Sequence, residues 1–488
     1  MLMNKFYTPL ARNIILDTDS YKNDHQRMLP PDTKEILSAI VPRKGNQHTN
    51  LVKVFGQQYL LKQYLTMQLS QAMIDEAEYE IIEQGYPFDR ERWEYILKAH
   101  NGYLPLEIRA IPEGMVVPIG LPIMTIRNTD DKCAWLVSYV ETMLHRIIWK
   151  MTTVASVAAD LYRYFNQVMI RHTGLADNVS YQLHNFGSRG ADSYESDIMS
   201  GMAHLAAGFK GTDCLQANRN IKHYYNTKSP IGSSVLATEH SVICAYSDAT
   251  NSNDYNAAVQ MLEIWDEAIT RFNSTGKGTP ILSLLGDTYD IYRFTREYLG
   301  VRLKDRIIEL GKKGGRLVLR PDSGDPKQVP IDCIETLMEC FGYTTNTYGY
   351  KVLPDYLRVI QGDGITTTSI RTIVDGLEER KLSLENLVLG MGGGLTHGAG
   401  RDEFSFSMKA TAILGNDGWR ELFKNPVTDS VKKSLRGRVT TYRDESGRLF
   451  AENVEYIKQN NKVTDIMETI FINGIITRQY TFEEILSH

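Results

Sequence analysis

Residues 316–326 read RLVLRPDSGDP, a run of large apolar side chains that breaks into a loop of Asp, Gly and Pro. The same change occurs three more times in the second half of the chain, in LSLLGDTYD (282–290), LRVIQGDG (357–364) and NLVLGMGGGLT (386–396). Short runs rich in Leu, Val and Ile are typical of strands buried on both faces, and helix-like sequence follows each of them. The repeated unit predicts a parallel α/β sheet or barrel, in which the loops after the strands share one face, where ligands bind.

The loops after these strands suit a phosphate-rich substrate that carries a metal ion. Bare backbone N–H groups can surround a phosphate, and carboxylates hold Mg²⁺. Asp287, Asp290, Asp322 and Asp363 each follow a strand end. One such Asp is usually a helix N-cap. Four on successive strands predict a carboxylate cluster, which would be repulsive without a cation or a polyhydroxyl ligand.

The glycines of GMGGGL (390–395) do not complete a G-x-G-x-x-G fingerprint, and the chain contains no G-x-x-x-x-G-K-[ST] motif. Dinucleotide-fold and P-loop interpretations are therefore weak. Three consecutive glycines after a buried strand are explained either by close approach of the backbone to a phosphate or by a tight turn that closes a barrel.

Composition excludes several classes of function. The chain has 488 residues, with 54 basic and 59 acidic side chains, so its net charge of −5 favours neither nucleic acid nor an anionic membrane as partner. The length suggests two to three domains. Five cysteines without a C-x-x-C pair predict reduced thiols in a cytoplasmic compartment, and we expect neither a signal peptide nor a transmembrane helix.

The remaining sequence predicts a second, β-rich domain. Residues 51–83 have the spacing of amphipathic helices, residues 103–128 predict a small antiparallel sheet, and the segments 134–149 and 153–172 predict two helices. GRVTTYRDESGRLFAENVEYI (437–457) resembles a hairpin around Asp444–Gly447. We expect 1–175 and 402–488 to form one discontinuous domain and 176–401 to form an α/β barrel, with short strands in 179–240 completing six or seven strand ends.

Two further residue types could carry chemistry. His240 follows Glu239, which could hold the histidine tautomer, although adjacent residues of a strand point to opposite faces; a structural histidine is the alternative. Arg189 lies between Gly187 and Gly190, which suggests a loop that closely approaches another group. By default the other arginines and lysines are surface charges.

Ten short runs closely resemble those of the nicotinamide phosphoribosyltransferases, in the same order and with similar spacing over nearly the whole chain. They are DTDSYKNDH (17–25), LHNFGSRG (183–190), FKGTD (209–213), ATEHS (237–241), DTYDIY (287–292), RPDSG (320–324), KVLPDYLRVIQGDG (351–364), GGGL (392–395), RD (401–402) and FKNP (423–426). The resemblance implies a type II phosphoribosyltransferase fold and the joining of nicotinamide to phosphoribosyl pyrophosphate (PRPP) in NAD salvage. It also implies a homodimer whose active sites are completed by the partner subunit.

The resemblance assigns roles to particular residues. The pyridine ring would be sandwiched between Phe186 and the partner subunit's Tyr21. Asp213 would accept a hydrogen bond from the carboxamide and repel the carboxylate of nicotinic acid. His240 would be phosphorylated by ATP, which stimulates the transfer. Residues around ribose and its 5-phosphate would be Arg189, Arg320, Asp322, Gly362, Asp363, Gly392 and Gly393. Mg²⁺ on PRPP would lie near Asp290 and Asp322, and the pyrophosphate and ATP phosphates would meet Arg43, Arg401, Lys409, Lys424 and Arg438.

Three positions depart from the pattern of the animal enzymes: Asn185, Ser188 and Gly286 stand where Asp, Tyr and Ser are expected. Three other functions remain as alternatives. A nicotinate phosphoribosyltransferase would share the fold and the phosphohistidine, but Asp213 argues against it. A sugar-phosphate lyase or isomerase would want a Lys or a general base at a strand end, and a catalytically inactive ligand-binding relative would not need His240.

Overall fold

The computed structural model of the protein describes residues 10–176, 179–228, 230–247, 254–396, 398, 400–428, 433–460 and 462–488. The chain folds into two compact units. The terminal unit comprises Met1–Ser156, His223–Thr227 and Gly400–His488, and the barrel unit comprises Val157–Lys222 and Lys228–Ala399. The domain boundaries expected from the sequence, 1–175 with 402–488 and 176–401, remain a prediction.

The strands, in chain order, are β1 (Glu35–Val41), β2 (Leu51–Lys53), β3 (Leu106–Ala110), β4 (Val116–Pro118), β5 (Met124–Asn128), β6 (Leu183–Asn185), β7 (Leu236–Ala237), β8 (Ile281–Leu285), β9 (Arg316–Arg320), β10 (Thr344–Thr345), β11 (Lys351–Val352), β12 (Leu357–Gln361), β13 (Leu387–Met391), β14 (Ser407–Gly415), β15 (Gly418–Glu421), β16 (Val439–Asp444), β17 (Leu449–Asn453), β18 (Val463–Asp465), β19 (Glu468–Ile472) and β20 (Ile475–Ile476).

The α-helices are α1 (His25–Met28), α2 (Gln57–Leu60), α3 (Gln71–Glu83), α4 (Arg90–Ala99), α5 (Ala134–Tyr139), α6 (Glu141–Thr173), α7 (Tyr194–Ala206), α8 (Leu215–Tyr225), α9 (His240–Cys244), α10 (Tyr255–Thr275), α11 (Ile291–Arg293), α12 (Lys304–Lys312), α13 (Gln328–Phe341), α14 (Thr367–Glu379), α15 (Gly393–Thr396), α16 (Tyr456–Gln459) and α17 (Phe482–Ser487). Two π-helical segments, Leu61–Leu65 and Phe294–Arg302, continue α2 and α11.

The barrel unit is built on a parallel sheet with the strand order β6-β13-β12-β9-β8-β7. The four apolar runs of the second half of the chain are its strands β8, β9, β12 and β13, as predicted. Their central side chains are buried, and the register is continuous, with Leu282 of β8 opposite Leu317 of β9. The parallel direction brings the loops that follow these strands to one edge.

Isolated parallel bridges extend this sheet beyond its edge strands. Asn185, at the end of β6, pairs with Thr212, and Gly211 pairs with Ser233, just before β7. The backbone bonds Asn185 N–H to Gly211 O (3.1 Å) and Thr212 N–H to Ser233 O (2.9 Å) make these bridges. Since β6 and β7 are the two edge strands of the sheet, these bridges link one edge to the segment just before the other. The predicted irregular α/β barrel is therefore confirmed.

The terminal unit combines both ends of the chain in one antiparallel sheet, with the order β15-β14-β1-β5-β3-β19-β20. Its longest pairing joins β1 to β14, so residues 35–41 lie beside residues 407–414. The predicted hairpin around Asp444–Gly447 is formed by β16 and β17. Two local expectations were wrong: residues 51–53 form a strand because they pair with β4, and the helix expected at 153–172 is the continuation of one helix that begins at Glu141.

In the described part of the chain, no helix is both long and apolar enough to cross a membrane.

Candidate active site

Phe186 marks the centre of the candidate site at the carboxyl edge of the barrel sheet. Its N–H donates to Met391 O at 2.9 Å, which fixes the residue between the ends of β6 and β13. The ring lies over Gly390, where an added Cβ would be only 2.0 Å from Phe186 Cε2. A Cβ on Gly362 would lie 3.3 Å from both the Phe186 ring and Asp322 Oδ1. The structure thus brings the predicted residues Phe186, Gly362 and Asp322 together and adds Gly390 to them.

Asp213 directly follows Gly211 and Thr212, whose parallel bridges link β6 to the segment before β7. Its N–H donates to Asn185 O at 3.0 Å, so it lies beside the strand end that carries Phe186. Its Oδ1 accepts a hydrogen bond of 2.5 Å from Ser234 Oγ. Burial lowers the pKa of the neighbouring His184, although the Asp213 charge acts in the opposite direction. Asp213 itself is exposed, and one of its carboxylate oxygens is oriented by Ser234.

A cavity of about 470 Å³ lies inside the barrel. Ser234 and His184 line it, together with alternate residues of the strands such as Ser283, Val318 and Ile360. This alternation is expected because successive side chains of a strand point to opposite faces. The Asp213–Ser234 pair consequently lies at a partly open cavity with a mixed polar and apolar wall.

His240 is the first residue of α9, and its partner is Asp287. The two side chains meet between Nε2 and Oδ1 at 3.2 Å, with the His240 side chain 50% exposed and that of Asp287 only 2% exposed. Asp287 Oδ2 accepts from both the N–H (2.8 Å) and the hydroxyl (2.6 Å) of Ser323. A solvent-accessible imidazole is thus held by a buried carboxylate that is itself held on its other oxygen. Glu239 bonds to Ser241 instead, so the adjacent glutamate is not the residue that orients His240.

The other three aspartates at the strand ends differ from one another. Asp290 is the N-cap of α11, because its Oδ1 accepts from Tyr292 N–H and Arg293 N–H, both at 3.0 Å. Asp322 lies 3.5 Å from Arg320 Nε. Asp363 is exposed, and its backbone carbonyl accepts from the buried Gln361 amide at 3.0 Å. The structure assigns the ordinary capping role to Asp290 alone.

The carboxylates of this edge fit a metal ion that arrives with its substrate. Among the residues that the structure describes, they form no group of three whose oxygens converge on one point. Asp290 keeps one oxygen outside its capping bonds, and Asp322 offers a partly exposed carboxylate. Mg²⁺ is commonly bound by one or two carboxylates plus substrate phosphates, so this oxygen donor set suits it.

The glycine-rich segments around Phe186 are tightly packed. An added Cβ on Gly187 would lie 2.3 Å from Thr396 Cγ2, and Asn185 Oδ1 accepts from Gly187 N–H at 2.8 Å. Arg189 follows on an exposed single helical turn. Gly392 and Gly393 follow β13, at the start of α15. A Cβ on Gly286 would meet the Phe294 ring at 2.6 Å, which explains the absence of a larger residue there.

The remaining predicted residues lie in the terminal unit. Tyr21 is exposed on the turn Ser20–Asp24, which is held to the start of α6 by Lys22–Glu141 (2.9 Å) and by Thr142 Oγ1 donating to Asp19 Oδ2 (2.5 Å). Lys409 lies 3.6 Å from the same Glu141. The predicted phosphate-binding cations make the following contacts: Arg43 donates to Ser405 O (2.9 Å), Arg401 pairs with Asp402 (3.0 Å), the Lys424 side chain is exposed, and Arg438 pairs with Glu455 over the Trp419 ring.

Three residues of the site were not assigned by sequence reasoning: Asp287 as the partner of His240, Ser234 as the partner of Asp213, and Gly390 under the Phe186 ring. The sequence indicated Asp287 as a carboxylate just after β8, but it did not show that this carboxylate contacts His240. No local pattern distinguishes Ser234 from other strand-end serines, and Gly390 reads as an ordinary residue of an apolar run.

Comparison with known proteins gives the family. The model of the nicotinate phosphoribosyltransferase (NAPRTase) family matches residues 181–474, and that of the nicotinamide phosphoribosyltransferase N-terminal domain matches residues 13–108. A nicotinamide phosphoribosyltransferase of Xanthomonas campestris is 35% identical, covering 98% of each chain. The chain belongs to the nicotinate phosphoribosyltransferase family. A second relative with the same name, from Acinetobacter baylyi, is 32% identical over 96% of this chain and 95% of its own.

Solved structures agree with this assignment at the level of the fold. Nicotinate-nucleotide pyrophosphorylase from Pyrococcus furiosus superposes with a TM-score of 0.59 at 17% identity, covering 99% of this chain and 97% of that one. Human nicotinic acid phosphoribosyltransferase gives 0.56 at 14% identity, covering 96% and 92%. As a member of this family, the protein is a phosphoribosyltransferase, that is, a pentosyltransferase with the type II fold.

Proposed function

We propose that this phosphoribosyltransferase joins nicotinamide to PRPP, forming nicotinamide mononucleotide and pyrophosphate in NAD salvage. The observation that carries the proposal is the Asp213 carboxylate, held by Ser234 beside the Phe186 strand end. Such a group accepts a hydrogen bond from a carboxamide N–H and repels the carboxylate of nicotinic acid. The names of the relatives from Xanthomonas and Acinetobacter support the same acceptor.

The rival function is a nicotinate phosphoribosyltransferase, and a direct competition separates the two. With both pyridines at equal concentration, we expect nicotinamide to be used at least tenfold faster, and Asp213→Asn to reduce this preference severalfold because the repulsive charge is removed. Ser323→Ala, a change at the His240 side of the site, is the control and should keep the preference. Preferential use of nicotinic acid by the unaltered protein would overturn the proposal.

The proposed reaction needs no general base at the acceptor. The pyridine nitrogen carries a free lone pair, which attacks ribose C1 as the bond from C1 to the pyrophosphate oxygen breaks. Phe186 and, from the other side, the partner subunit's Tyr21 would hold the pyridine ring by stacking. Asp322 and Asp363 would stabilise the positive charge that develops on the sugar, with Arg189, Arg320 and the glycines 362, 392 and 393 around the 5-phosphate.

Charge on the departing pyrophosphate would be balanced from two sources. The cations Arg43, Arg401, Lys409, Lys424 and Arg438 of the partner subunit would face the phosphates. Asp290 and Asp322 would hold Mg²⁺ together with PRPP, and the ion when bound supplies neutralisation of the leaving group. This arrangement requires a homodimer, and it suits a cytoplasmic enzyme because PRPP and ATP are highly charged and do not cross membranes unaided.

His240 would couple the transfer to ATP. Because Nε2 is engaged with Asp287, the lone pair available for reaction is on Nδ1. The Nδ1–P bond would form as the bond between the γ-phosphorus and the ADP oxygen breaks, and the phosphohistidine would stimulate transfer. The half-exposed ring is accessible to a nucleotide, whereas its carboxylate partner is not.

A further inference from the structure

A cluster of metal-ligating side chains lies in the terminal unit, and none of its three residues is among those assigned above. One ring nitrogen of His100, one carboxylate oxygen of Asp130 and Cys133 Sγ all lie within 4.8 Å of one another. His100 and Asp130 are already in contact at 2.9 Å. We propose that these three residues form a binding site for Zn²⁺ or a similar borderline-soft divalent ion, completed by a water molecule.

The ligand types and their spacing match zinc. Zinc bonds of about 2.0 Å to nitrogen and oxygen and about 2.3 Å to sulfur place tetrahedral ligand atoms roughly 3.2–3.8 Å apart. The separations in the cluster, from 2.9 Å to at most 4.8 Å, need only small side-chain movements to reach that range. A thiolate and an imidazole select Zn²⁺ over Mg²⁺ or Ca²⁺, which prefer oxygen ligands.

Charge balance also favours the ion. One thiolate, one carboxylate and one neutral imidazole give a charge of −2 in the first coordination sphere, which a divalent ion neutralises in this largely buried place. Burial raises the pKa of Cys133 to about 12, so the thiol is protonated without a metal. On binding, the S–H proton leaves to solvent as the metal–sulfur bond forms, and the His100 proton moves to Nδ1 so that Nε2 can ligate.

The three ligands are presented by a rigid frame. His100 is the C-terminal cap of α4, Asp130 caps the turn Asp131–Cys133, and Cys133 directly precedes α5. The two helices are joined by the Trp93 and Trp135 rings, whose centroids are 4.9 Å apart. Preorganised ligands lower the ordering cost of binding a metal.

A hydrogen-bond network is the simpler explanation of part of this cluster. Asp130 accepts from Tyr95 (2.8 Å), from Lys132 N–H (2.8 Å) and from His100. This network accounts for the aspartate and the histidine, but it does not account for a thiol, 1% exposed, in the same group. The Asp130 charge raises the pKa of Cys133 further, and the Lys132 ammonium, 4.6 Å from the Tyr95 ring, lowers it. Asp131 is the other charged side chain on the turn.

Cobalt binding tests the proposal on the full-length, chelator-treated protein without an affinity tag. We expect one equivalent of Co²⁺ per chain to produce a thiolate-to-cobalt charge-transfer band, with about one proton released per ion. Zn²⁺ should displace the cobalt and raise the melting temperature. Cys244→Ser, which removes the exposed thiol, is the matched control and should keep the band.

Cys133→Ser should abolish the band, and His100→Gln should weaken binding by about a hundredfold or more, beyond the loss of an outer hydrogen-bond partner. If Cys133→Ser does not fold, His100→Gln decides the matter through the affinity alone. No band in the unaltered protein, a band that survives Cys133→Ser, or unchanged affinity in His100→Gln would each overturn the site. Loss of the band in Cys244→Ser would assign the metal to the exposed thiol and also overturn it.

Discussion

At the scale of single residues, the proposed chemistry depends on partners that hold the reactive groups. Asp287 orients His240, and Ser234 orients Asp213. In each case a group accessible to ligand is fixed by a second polar side chain, which reduces the reorganisation needed at the moment of reaction. Substitutions of the partners should therefore change specific steps and leave the fold intact.

Asp287→Asn should reduce ATP stimulation of the transfer at least tenfold and leave the slow ATP-independent transfer. An amide in place of the carboxylate stabilises the phosphorylated imidazole less well and no longer fixes the tautomer. The measurements are incorporation of labelled γ-phosphate into the protein and transfer rates with and without ATP. Asp325→Asn, whose carboxylate accepts from the Lys327 and Gln328 N–H groups in its own loop, is the control. Undiminished phosphorylation would exclude Asp287 as the orienting residue.

Gly390→Ala should displace the Phe186 ring, because the added methyl carbon would lie 2.0 Å from Phe186 Cε2. We expect a KM for nicotinamide at least tenfold higher and a loss of stability of about 1–3 kcal/mol, as is typical of overpacking. Steady-state kinetics and thermal unfolding measure the two effects. Gly400→Ala, where an added Cβ meets no atom of the described residues within 4 Å, controls for the stability measurement. An unchanged KM would mean that Phe186 does not contact the pyridine.

At the scale of elements, α7 packs against the segment around Gly211 and Thr212, which links β6 to the segment before β7 in the barrel. His204 of α7 lies 3.2 Å from Gly211 O, and its ring stacks on Phe209 with centroids 5.1 Å apart. Gly211 O also accepts from Asn185 N–H, at the end of β6. The helix therefore stabilises the bridge that presents Asp213, and its histidine makes that support sensitive to pH.

The stability of the protein should fall as the pH decreases from about 6.5 toward 3, in part through His204. Burial lowers the pKa of His204 from 6.5 to about 3, so in this range the unfolded chain takes up a proton that the folded chain does not. His145, whose pKa burial lowers to about 4, acts in the same direction. His204→Gln should flatten this pH dependence without removing it.

Urea unfolding followed by circular dichroism at a series of pH values measures the effect of His204. The matched control is His223→Gln, which replaces a solvent-exposed histidine. We expect the urea midpoint of His204→Gln to be lower at pH 7, because the ring stack is lost, and to change less between pH 7 and pH 4. An unaltered slope would show that His204 is protonated in the folded protein over this range.

At the scale of the whole molecule, the two ends of the chain are tied into one sheet. β1 pairs with β14 and β3 pairs with β19, so residues far apart in sequence form the terminal unit that carries Tyr21 and the predicted phosphate-binding cations. The barrel unit carries Phe186, Asp213 and His240. Under the proposed homodimer, each active site combines the barrel of one subunit with the terminal unit of the other.

Subunit mixing tests this arrangement. Tyr21→Ala and His240→Ala should each lack most of the ATP-stimulated activity, but co-refolded mixtures should regain about one quarter of the normal value. This is because half of randomly paired dimers are mixed and each mixed dimer holds one intact site. A mixture of Phe186→Ala with His240→Ala should regain nothing, since both changes then affect barrel residues. Equal behaviour of the two mixtures would contradict shared sites.

The sequence by itself determined the parallel barrel strands and the Gly- and Asp-containing loops that follow them, because an apolar run of strand length followed by Gly and Asp is a local pattern. It also predicted the hairpin of β16 and β17 from its turn residues, and the matched runs indicated the family. The sequence-based prediction was wrong where pairing with a strand distant in sequence outweighs the local spacing of apolar residues. Residues 51–53, for example, form a strand because they pair with β4.

Only the tertiary structure decided which polar groups meet. His240 and Asp287 are 47 positions apart, and their contact depends on the loops after two neighbouring parallel strands reaching the same edge. Adjacent Glu239, the partner that the sequence suggested, is engaged with Ser241 instead. Strand and helix patterns are local, whereas side-chain partners are set by sheet order and register, which a single sequence does not encode in any short segment.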